Sequence, residues 1–112
     1  MCGLCGYTGR GIPGLLENMV RLNVPRGPDG SGVWSRDGVH LGHTRLAIID
    51  PAHGDQPMTR LNGRYTVVYN GEIYNYADLR RDLEAKGAVF DTTCDTEIIP
   101  LGFAVWGDDL WA

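Results

Sequence analysis

Met1-Cys2-Gly3-Leu4-Cys5-Gly6 opens the chain and places a cysteine directly behind the start methionine. If Met1 is removed, the Cys2 thiol and a free α-amine belong to the same residue. An α-amine has an ordinary pKa of about 7.7–8.0, so it can serve as the base for its own side chain. The alternative is that Cys2 is only a small residue at the start codon. Residues 4–8 are predicted to form a short strand.

Size and charge exclude several classes of protein. The chain has 112 residues, enough for one small domain. Its net charge of −4 argues against a general nucleic-acid binder, which would carry a basic excess. No apolar run approaches the roughly 20 residues of a membrane helix. No secretory signal is recognised, so we expect a reducing cytoplasm in which the 3 cysteines remain thiols.

Outward from the first strand, the first half of the chain mixes helix and strand. Leu15, Leu16 and Met19 begin an apolar helical stripe that continues to residue 22. The sequence therefore predicts a helix over residues 15–22, a loop over 25–32, a hairpin turning at Arg36-Asp37-Gly38, and a strand over 45–49.

The second half is predicted in the same way. It contains a loop over residues 50–57, a turn at Asn62-Gly63, a buried strand over 65–69, a helix capped by Asn75 and ended by Gly87, a short strand at Val89-Phe90, and a third helix capped by Asp95. Pro100 is awkward in that third helix, because proline lacks a backbone N–H. Either the helix kinks there or it starts later than Asp95.

Strands mixed with helices, without regular βαβ alternation, predict an α+β fold. The chain stops at Asp109-Leu110-Trp111-Ala112, which has neither a turn signal nor a polar cap. We therefore expect a cut inside a domain, and a chain that is poorly stable alone because a half-built sheet exposes apolar faces and strand edges.

Several segments occur together in the order of one family. They are Met1-Cys2-Gly3, Arg26-Gly27-Pro28-Asp29, Leu41-Gly42-His43-Thr44-Arg45-Leu46-Ala47-Ile48-Ile49-Asp50, Gln56-Pro57-Met58, Asn70-Gly71-Glu72-Ile73-Tyr74-Asn75 and Cys94-Asp95-Thr96-Glu97. Over essentially all 112 residues the chain resembles the class II glutamine amidotransferase domain at the front of glutamine-hydrolysing asparagine synthetases. Any single segment would be a weak signal, whereas the ordered set is specific.

The resemblance implies an N-terminal-nucleophile αββα sandwich, of which residues 1–112 form the first part. The rest of this domain and the synthetase domain are absent from the sequence. The implied enzyme hydrolyses L-glutamine to glutamate and ammonia, and a synthetase domain in cis uses the ammonia for ATP-dependent amidation of aspartate. The glutaminase half needs no cofactor; ATP and Mg²⁺ belong only to the missing synthetase domain. We expect the fragment alone to be inactive, and homodimer formation is left open.

The resemblance also assigns roles to single residues. Cys2 is the nucleophile; Asn70 and Gly71 stabilise the oxyanion; Arg45 holds the α-carboxylate; Glu72 and Asp95 hold the α-ammonium; the backbones of Leu46 and Ile48 line the pocket. From the residues alone other interpretations stay open. Asn70-Gly71 is a common tight turn, Arg45 could form a surface salt bridge, Glu72 could be a loop carboxylate and Asp95 a helix cap.

The remaining chemistry-bearing residues receive no catalytic role. Cys2 and Cys5 form a Cys-x-x-Cys, but a zinc site wants about four ligands and no second pair exists. We therefore predict no metal site, and we expect Cys5 to be a small buried residue on the first strand. His43 and His53 are unassigned, because a lone histidine is more often structural than catalytic.

Three residues depart from the family pattern. Pro25 stands where a histidine is usual, Cys94 stands where a serine is usual, and Pro100 is unusual in its helix. Two other functions therefore remain as alternatives: an inactive remnant that acts as a binding module, and, with little support, a small metal-binding protein.

Overall fold

The computed structural model describes residues 2–46 and 54–111. Strands and helices are mixed, which confirms the α+β class. The strands are β1 (Gly3–Thr8), β2 (Gly30–Arg36), β3 (Val39–Arg45), β4 (Met58–Arg60) and β5 (Tyr65–Val67), and the helices are α1 (Leu15–Asn23), α2 (Tyr76–Ala85) and α3 (Ile98–Trp106). Three short 3-10 turns lie at Val24–Arg26, Asp95–Glu97 and Gly107–Trp111. Within the described ranges, no helix has the length and apolar character needed to cross a membrane.

The first sheet has three antiparallel strands in the order β1-β3-β2. Its hairpin between β2 and β3 turns at Asp37 and Gly38, which both have positive φ, 51° and 79°. This backbone matches the twist of antiparallel strands, so the Asp-Gly pair explains the turn. The predicted hairpin is confirmed, and β1 extends the predicted first strand by one residue to Gly3.

Helix α1 packs on one face of this sheet through Leu16 and Val20, which are buried as the apolar stripe predicts. Leu22, the last residue predicted for that stripe, is 81% exposed, so this part of the prediction is wrong. The helix crosses the sheet at Gly42 of β3. A Cβ at Gly42 would lie only 2.5 Å from Val20 Cγ2 and 2.8 Å from Cys5 Sγ. Glycine at this position therefore sets how closely α1 approaches the sheet.

The second sheet is the hairpin of β4 and β5, joined at Asn62 and Gly63 with φ of 56° and 84°. The predicted turn is confirmed, but the predicted buried strand over residues 65–69 is wrong in extent and burial. β5 ends at Val67 and is half-buried. After it the main chain leaves the sheet, and the Tyr69 N–H donates to the Gln56 side chain instead of to a neighbouring strand.

Helices α2 and α3 enclose a small apolar cluster of Leu83, Ile98 and Leu101. Asn75 lies at the N-cap of α2, but its side chain makes no capping hydrogen bond. Gly87 ends the helix with φ of 94°, as predicted.

Two predictions in the last third of the chain need correction, and the choice left open for Pro100 is decided in favour of a later helix start. Val89-Phe90 is not a strand; the Phe90 ring packs against the α2–α3 cluster, with the Arg80 guanidinium 4.5 Å from its centroid. Asp95 does not cap a helix, because it lies inside a 3-10 turn and its Oδ2 accepts the Ile73 N–H at 2.9 Å. Helix α3 begins at Ile98, so Pro100 is its third residue, where a missing N–H costs little.

The first predicted loop is shorter in the structure, and the second lies partly outside the described residues. The loop predicted over residues 25–32 contains the end of a 3-10 turn, and β2 already begins at Gly30. β3 ends at Arg45, and most of the predicted strand over 45–49 and loop over 50–57 lies outside the described residues.

A buried carboxylate joins the second sheet to α3. Glu97 is fully buried and accepts hydrogen bonds from Arg60 Nε at 2.7 Å, from the Asp91 and Thr92 backbone N–H groups at 2.9 Å, and from the Thr92 hydroxyl at 2.8 Å. Burial raises the pKa of Glu97, but these hydrogen bonds outweigh burial, and the net pKa is lowered. The folded chain therefore holds Glu97 as a carboxylate.

We predict that Glu97→Gln lowers the free energy of unfolding at pH 7 by about 3 kcal/mol, because it leaves Arg60 without its buried partner. The folded pKa lies below the ordinary value of 4.5, so this contribution is complete above that value and is lost as the pH falls through the folded pKa. Urea unfolding at pH 7 and pH 4, in the natural polypeptide that carries this chain, measures both effects.

The matched control is Glu84→Gln, which removes an exposed carboxylate 3.5 Å from Arg80. Exposed pairs contribute about 0–1 kcal/mol, so the control should change little at either pH. An equal loss in both variants would contradict the role given to Glu97.

We also predict that the 112-residue chain, expressed alone, unfolds at low denaturant concentration or aggregates. Leu22, Val89 and Trp111 are 81%, 76% and 65% exposed, and the radius of gyration is 14.4 Å, whereas a compact chain of this length has about 13 Å. Denaturant unfolding combined with size-exclusion chromatography tests this prediction. A cooperative transition of a monomer would contradict it.

Candidate active site

A cavity of about 300 Å³ lies where the ends of several elements meet. This volume is at the lower end of small-molecule sites, about 300–1,000 Å³. Seven of the predicted site residues line it: Cys2, Arg45, Leu46, Asn70, Gly71, Glu72 and Asp95. The eighth, Ile48, lies outside the described residues. Four segments that are far apart in the sequence thus converge on one cavity.

Strand pairing brings Cys2 to the cavity. Gly3 pairs with Thr44, so Cys2 lies beside the end of β3. The Leu46 N–H donates to Cys2 Sγ at 3.3 Å, and the thiol donates to the Leu46 carbonyl at 3.7 Å. Arg26 Nε donates to the Cys2 carbonyl at 3.5 Å. Both the sulfur and the main chain of Cys2 are therefore held at the cavity wall.

Arg45 ends β3 and is only 6% exposed. Its Nη1 lies 3.4 Å from Asp55 Oδ1, but the Asp55 side chain is exposed. Asp55 is thus a surface residue, but Arg45 is not: its side chain is buried at the cavity. The interpretation of Arg45 as one half of a surface salt bridge is therefore wrong. Gly54 lies against this group, and any side chain there would overlap it.

Asn70 and Gly71 follow β5 and are anchored through the residue before them. The Tyr69 N–H donates to Gln56 Oε1 at 2.6 Å, and its carbonyl accepts from His43 Nε2 at 3.1 Å. The Tyr69 ring lies over Gly71, where a Cβ would be 2.7 Å from the phenol oxygen. Glycine at position 71 therefore leaves the room that the Tyr69 phenol occupies.

The acidic side of the cavity consists of Asp95 and Glu72. Asp95 is 6% exposed, and its Oδ2 is occupied by the Ile73 N–H, while Glu72 is exposed at the cavity mouth. Burial raises the pKa of Tyr69 between them, and the charges of Asp95, Tyr74 and Glu72 add to this. One guanidinium and two carboxylates around one small cavity suit a zwitterionic amino acid.

His43 is a structural residue of the site. A carbonyl oxygen only accepts, so the bond to Tyr69 requires a proton on Nε2, and Nδ1 is buried without a partner among the described residues. Burial lowers the pKa of His43; the Tyr69 carbonyl opposes this, and the Arg45 charge lowers the pKa further. His43 therefore stays neutral near pH 7 and holds Tyr69 rather than moving protons.

Sequence reasoning missed the contacts of Gln56 and Thr96. Gln56 Nε2 donates to Thr96 Oγ1 at 3.2 Å, and both residues line the cavity. Gln56 belongs to the Gln56-Pro57-Met58 segment, but its partners Tyr69 and Thr96 are 13 and 40 residues away. No local pattern in the sequence indicates contacts over such separations.

Of the two other cysteines, Cys94 lines the cavity, whereas Cys5 lies outside its lining and is less buried than predicted. Cys5 is half-buried, and burial raises the pKa of its thiol. Cys94 is buried, and its thiol donates to Asp95 Oδ1 at 3.9 Å. In the part of the chain that the structure describes, no three His, Cys, Asp or Glu side chains are grouped to hold a metal ion.

The chain is similar to known proteins over nearly its whole length. The family described as the glutamine amidotransferase domain matches residues 1–112. Asparagine synthetase [glutamine-hydrolyzing] 3 of Bacillus subtilis strain 168 is 40% identical over 97% of this chain and 19% of its own length. Asparagine synthetase [glutamine-hydrolyzing] 1 of the same organism is 45% identical over 76% of this chain and 13% of its own length. Asparagine synthetase [glutamine-hydrolyzing] 1 of Arabidopsis thaliana is 44% identical over 97% of this chain and 19% of its own length.

The chain thus spans less than a fifth of the length of these relatives, and the match to the family extends over all of its own residues. The expected resemblance is confirmed: this chain belongs to the family of glutamine amidotransferase domains.

Proposed function

We propose that the cavity hydrolyses the side-chain amide of L-glutamine, with Cys2 as the nucleophile. The observation that carries the proposal is the convergence of Cys2, one buried arginine and two carboxylates on a single cavity of amino-acid size. A nucleophile, oxyanion donors and a clamp for both ends of an amino acid are the parts that this reaction needs.

In the proposed reaction the α-amine of Cys2, freed by removal of Met1, takes the thiol proton, and sulfur attacks the amide carbon. The Asn70 side-chain amide and the Gly71 N–H donate to the oxyanion. The C–N bond then breaks, and the amine's proton goes to the leaving ammonia. Water attacks the resulting thioester, the amine accepts a proton from that water, and the thiol is regenerated as glutamate leaves.

The charged side chains around the cavity would orient the substrate. The Arg45 guanidinium grips the α-carboxylate through two N–H groups, which a planar fork allows. Asp95 has one oxygen bonded to the Ile73 N–H, and its second oxygen, with Glu72, takes the α-ammonium. The backbone of Leu46 lies beside Cys2 Sγ on the cavity wall. The pocket-lining role proposed for Ile48 rests on the family resemblance alone.

The wider assignment rests on family membership. We propose that the domain is an N-terminal-nucleophile αββα sandwich and that its ammonia feeds a synthetase domain in cis. There ATP and Mg²⁺ would serve the amidation of aspartate, while the glutaminase half uses no cofactor. A cytoplasmic location, homodimer formation and inactivity of the 112-residue chain alone stay predictions.

We predict that Cys2→Ala lowers glutamine hydrolysis by about 10³-fold or more, because the nucleophile is lost. Ammonia release by the natural polypeptide that carries this chain measures the effect. The electrophilic glutamine analogue 6-diazo-5-oxo-norleucine should label the wild type at Cys2 and leave the variant unlabelled.

Cys5→Ala is the matched control and should keep both activity and labelling, since Cys5 lies outside the cavity lining. A wild-type protein that folds and neither releases ammonia nor reacts with the analogue would instead favour an inactive binding module. Mass spectrometry of the N-terminus shows whether Met1 is removed.

We predict that Arg45→Lys raises the KM for glutamine by about tenfold to a hundredfold with a smaller change in kcat. Lysine keeps the charge but loses the two-point grip, and one charged hydrogen bond is worth about 1.5–3 kcal/mol. Steady-state kinetics at saturating and limiting glutamine separate the two constants. Asp55→Asn removes only the exposed partner of Arg45 and should shift KM by less than about threefold; a larger shift there than in Arg45→Lys would contradict the assignment.

A further inference from the structure

We propose that Gln56 is a positioning residue that fixes the oxyanion donors Asn70 and Gly71 in place. The inference rests on the proposed function and goes beyond it, because Gln56 acts through the Tyr69 backbone and not on the substrate.

The contacts of Gln56 are short, buried and directional. Gln56 is 8% exposed, its Oε1 accepts the Tyr69 N–H at 2.6 Å, and its Nε2 donates to Thr96 Oγ1 at 3.2 Å. A backbone N–H can only donate, so the amide oxygen must face Tyr69 and the amide nitrogen must face Thr96. The side chain therefore bridges two segments that have no direct backbone pairing.

This bridge lies at the point where β5 leaves its sheet. β5 ends at Val67, and the N–H of the half-buried Tyr69 donates to the Gln56 side chain instead of to a neighbouring strand. His43 holds the carbonyl of the same residue from the other side. Because the Tyr69–Asn70 peptide is planar, fixing the Tyr69 backbone also fixes the direction in which the chain enters Asn70.

The far end of the loop is tied to the same 3-10 turn. Ile73 donates its N–H to Asp95, and Gln56 reaches the next residue, Thr96. The four residues from Asn70 to Ile73 are thus held at both ends against one short turn. The proposed oxyanion donors and Asp95, proposed to bind the α-ammonium, are consequently held by the same 3-10 turn. Gln56 connects this turn to the end of the loop that precedes Asn70.

The backbone of Gln56 is itself fixed. Gly32 of β2 lies so close that a Cβ there would overlap the Gln56 carbonyl oxygen. The Gln56 backbone therefore lies against the first sheet, and Cys2 directly precedes β1 of the same sheet. Nucleophile and oxyanion donors are connected through it.

The test uses Gln56→Met in the natural polypeptide that carries this chain, because methionine keeps the length of glutamine and removes both hydrogen bonds. Competent sites are counted by end-point labelling of Cys2 with 6-diazo-5-oxo-norleucine. We expect kcat for glutamine hydrolysis per labelled site to fall by about tenfold to a hundredfold, the effect of small misplacement of catalytic groups. KM should change by less than about threefold, because an interaction made only in the transition state is lost.

A second pair of variants keeps the test decisive if Gln56→Met does not fold. Thr96→Val removes the acceptor of Gln56 Nε2, and Thr96→Ser keeps it. We expect Thr96→Val to lower kcat per labelled site by about threefold to tenfold, because one hydrogen bond of about 1 kcal/mol is lost. Thr96→Ser keeps the hydroxyl and should keep most of the wild-type kcat. The double variant of Gln56→Met and Thr96→Val should be no slower than Gln56→Met alone, since both act through one bridge.

Three results would overturn the inference: an unchanged kcat per labelled site in Gln56→Met, a raised KM with unchanged kcat, or equal kcat in Thr96→Val and Thr96→Ser. The first would leave Gln56 with a purely structural role, and the second would mean direct contact with the substrate. Failure of the proposed function looks different, because then the wild type itself shows no Cys2-dependent release of ammonia.

Discussion

The pairing register of β1 with β3 is the constraint on which the rest of the site depends. Gly3 lies opposite Thr44, and this alone places the Cys2 sulfur against the backbone of a residue 44 positions away. A slip of one residue would turn every side chain of β1 to the other face of the sheet. The register is set by the packing of α1, since Cys5 of β1 and Gly42 of β3 both face Val20 of that helix. Apolar packing on one face of the sheet thus determines where Cys2 lies at the edge of the sheet.

The other wall of the cavity is held by polar groups rather than by apolar packing. Four buried side chains support the segment that carries the proposed oxyanion donors: His43, Gln56 and Asp95 bind it directly, and Thr96 binds Gln56. Inside a protein such bonds are strong, and an unpaired group is costly. The loop after β5 needs this support because its backbone has left the strand ladder. This support restricts which residue can stand at position 56, because few side chains both accept and donate hydrogen bonds as Gln56 does.

Local structure was predictable wherever it follows from neighbouring residues. The burial of Leu16 and Val20 in α1, the Asp37-Gly38 turn and the Gly87 stop all depend on periodicity or backbone preference, and each is found in the structure. Predictions failed where distant contacts decide. The strand predicted over residues 65–69 stops at Val67, because the buried Gln56 amide takes over the Tyr69 N–H. The geometry of the cavity lay beyond local patterns in the same way, although resemblance to the family indicated the residues that line it.

The three departures from the family pattern can be understood from where they lie. Pro25 is exposed inside the 3-10 turn before Gly27, where a fixed φ is tolerated, and the neighbouring Arg26 still reaches the Cys2 carbonyl. Cys94 keeps a donor to Asp95 Oδ1, which is the contact that a serine hydroxyl would make more strongly. Pro100 lies in the first turn of α3, and the 3-10 turn that precedes it carries Asp95 and Thr96 at the cavity. Since a proline lacks the N–H that would extend a regular α-helix backwards, Pro100 favours the break in geometry that leaves Asp95 free to face the loop instead of capping a helix.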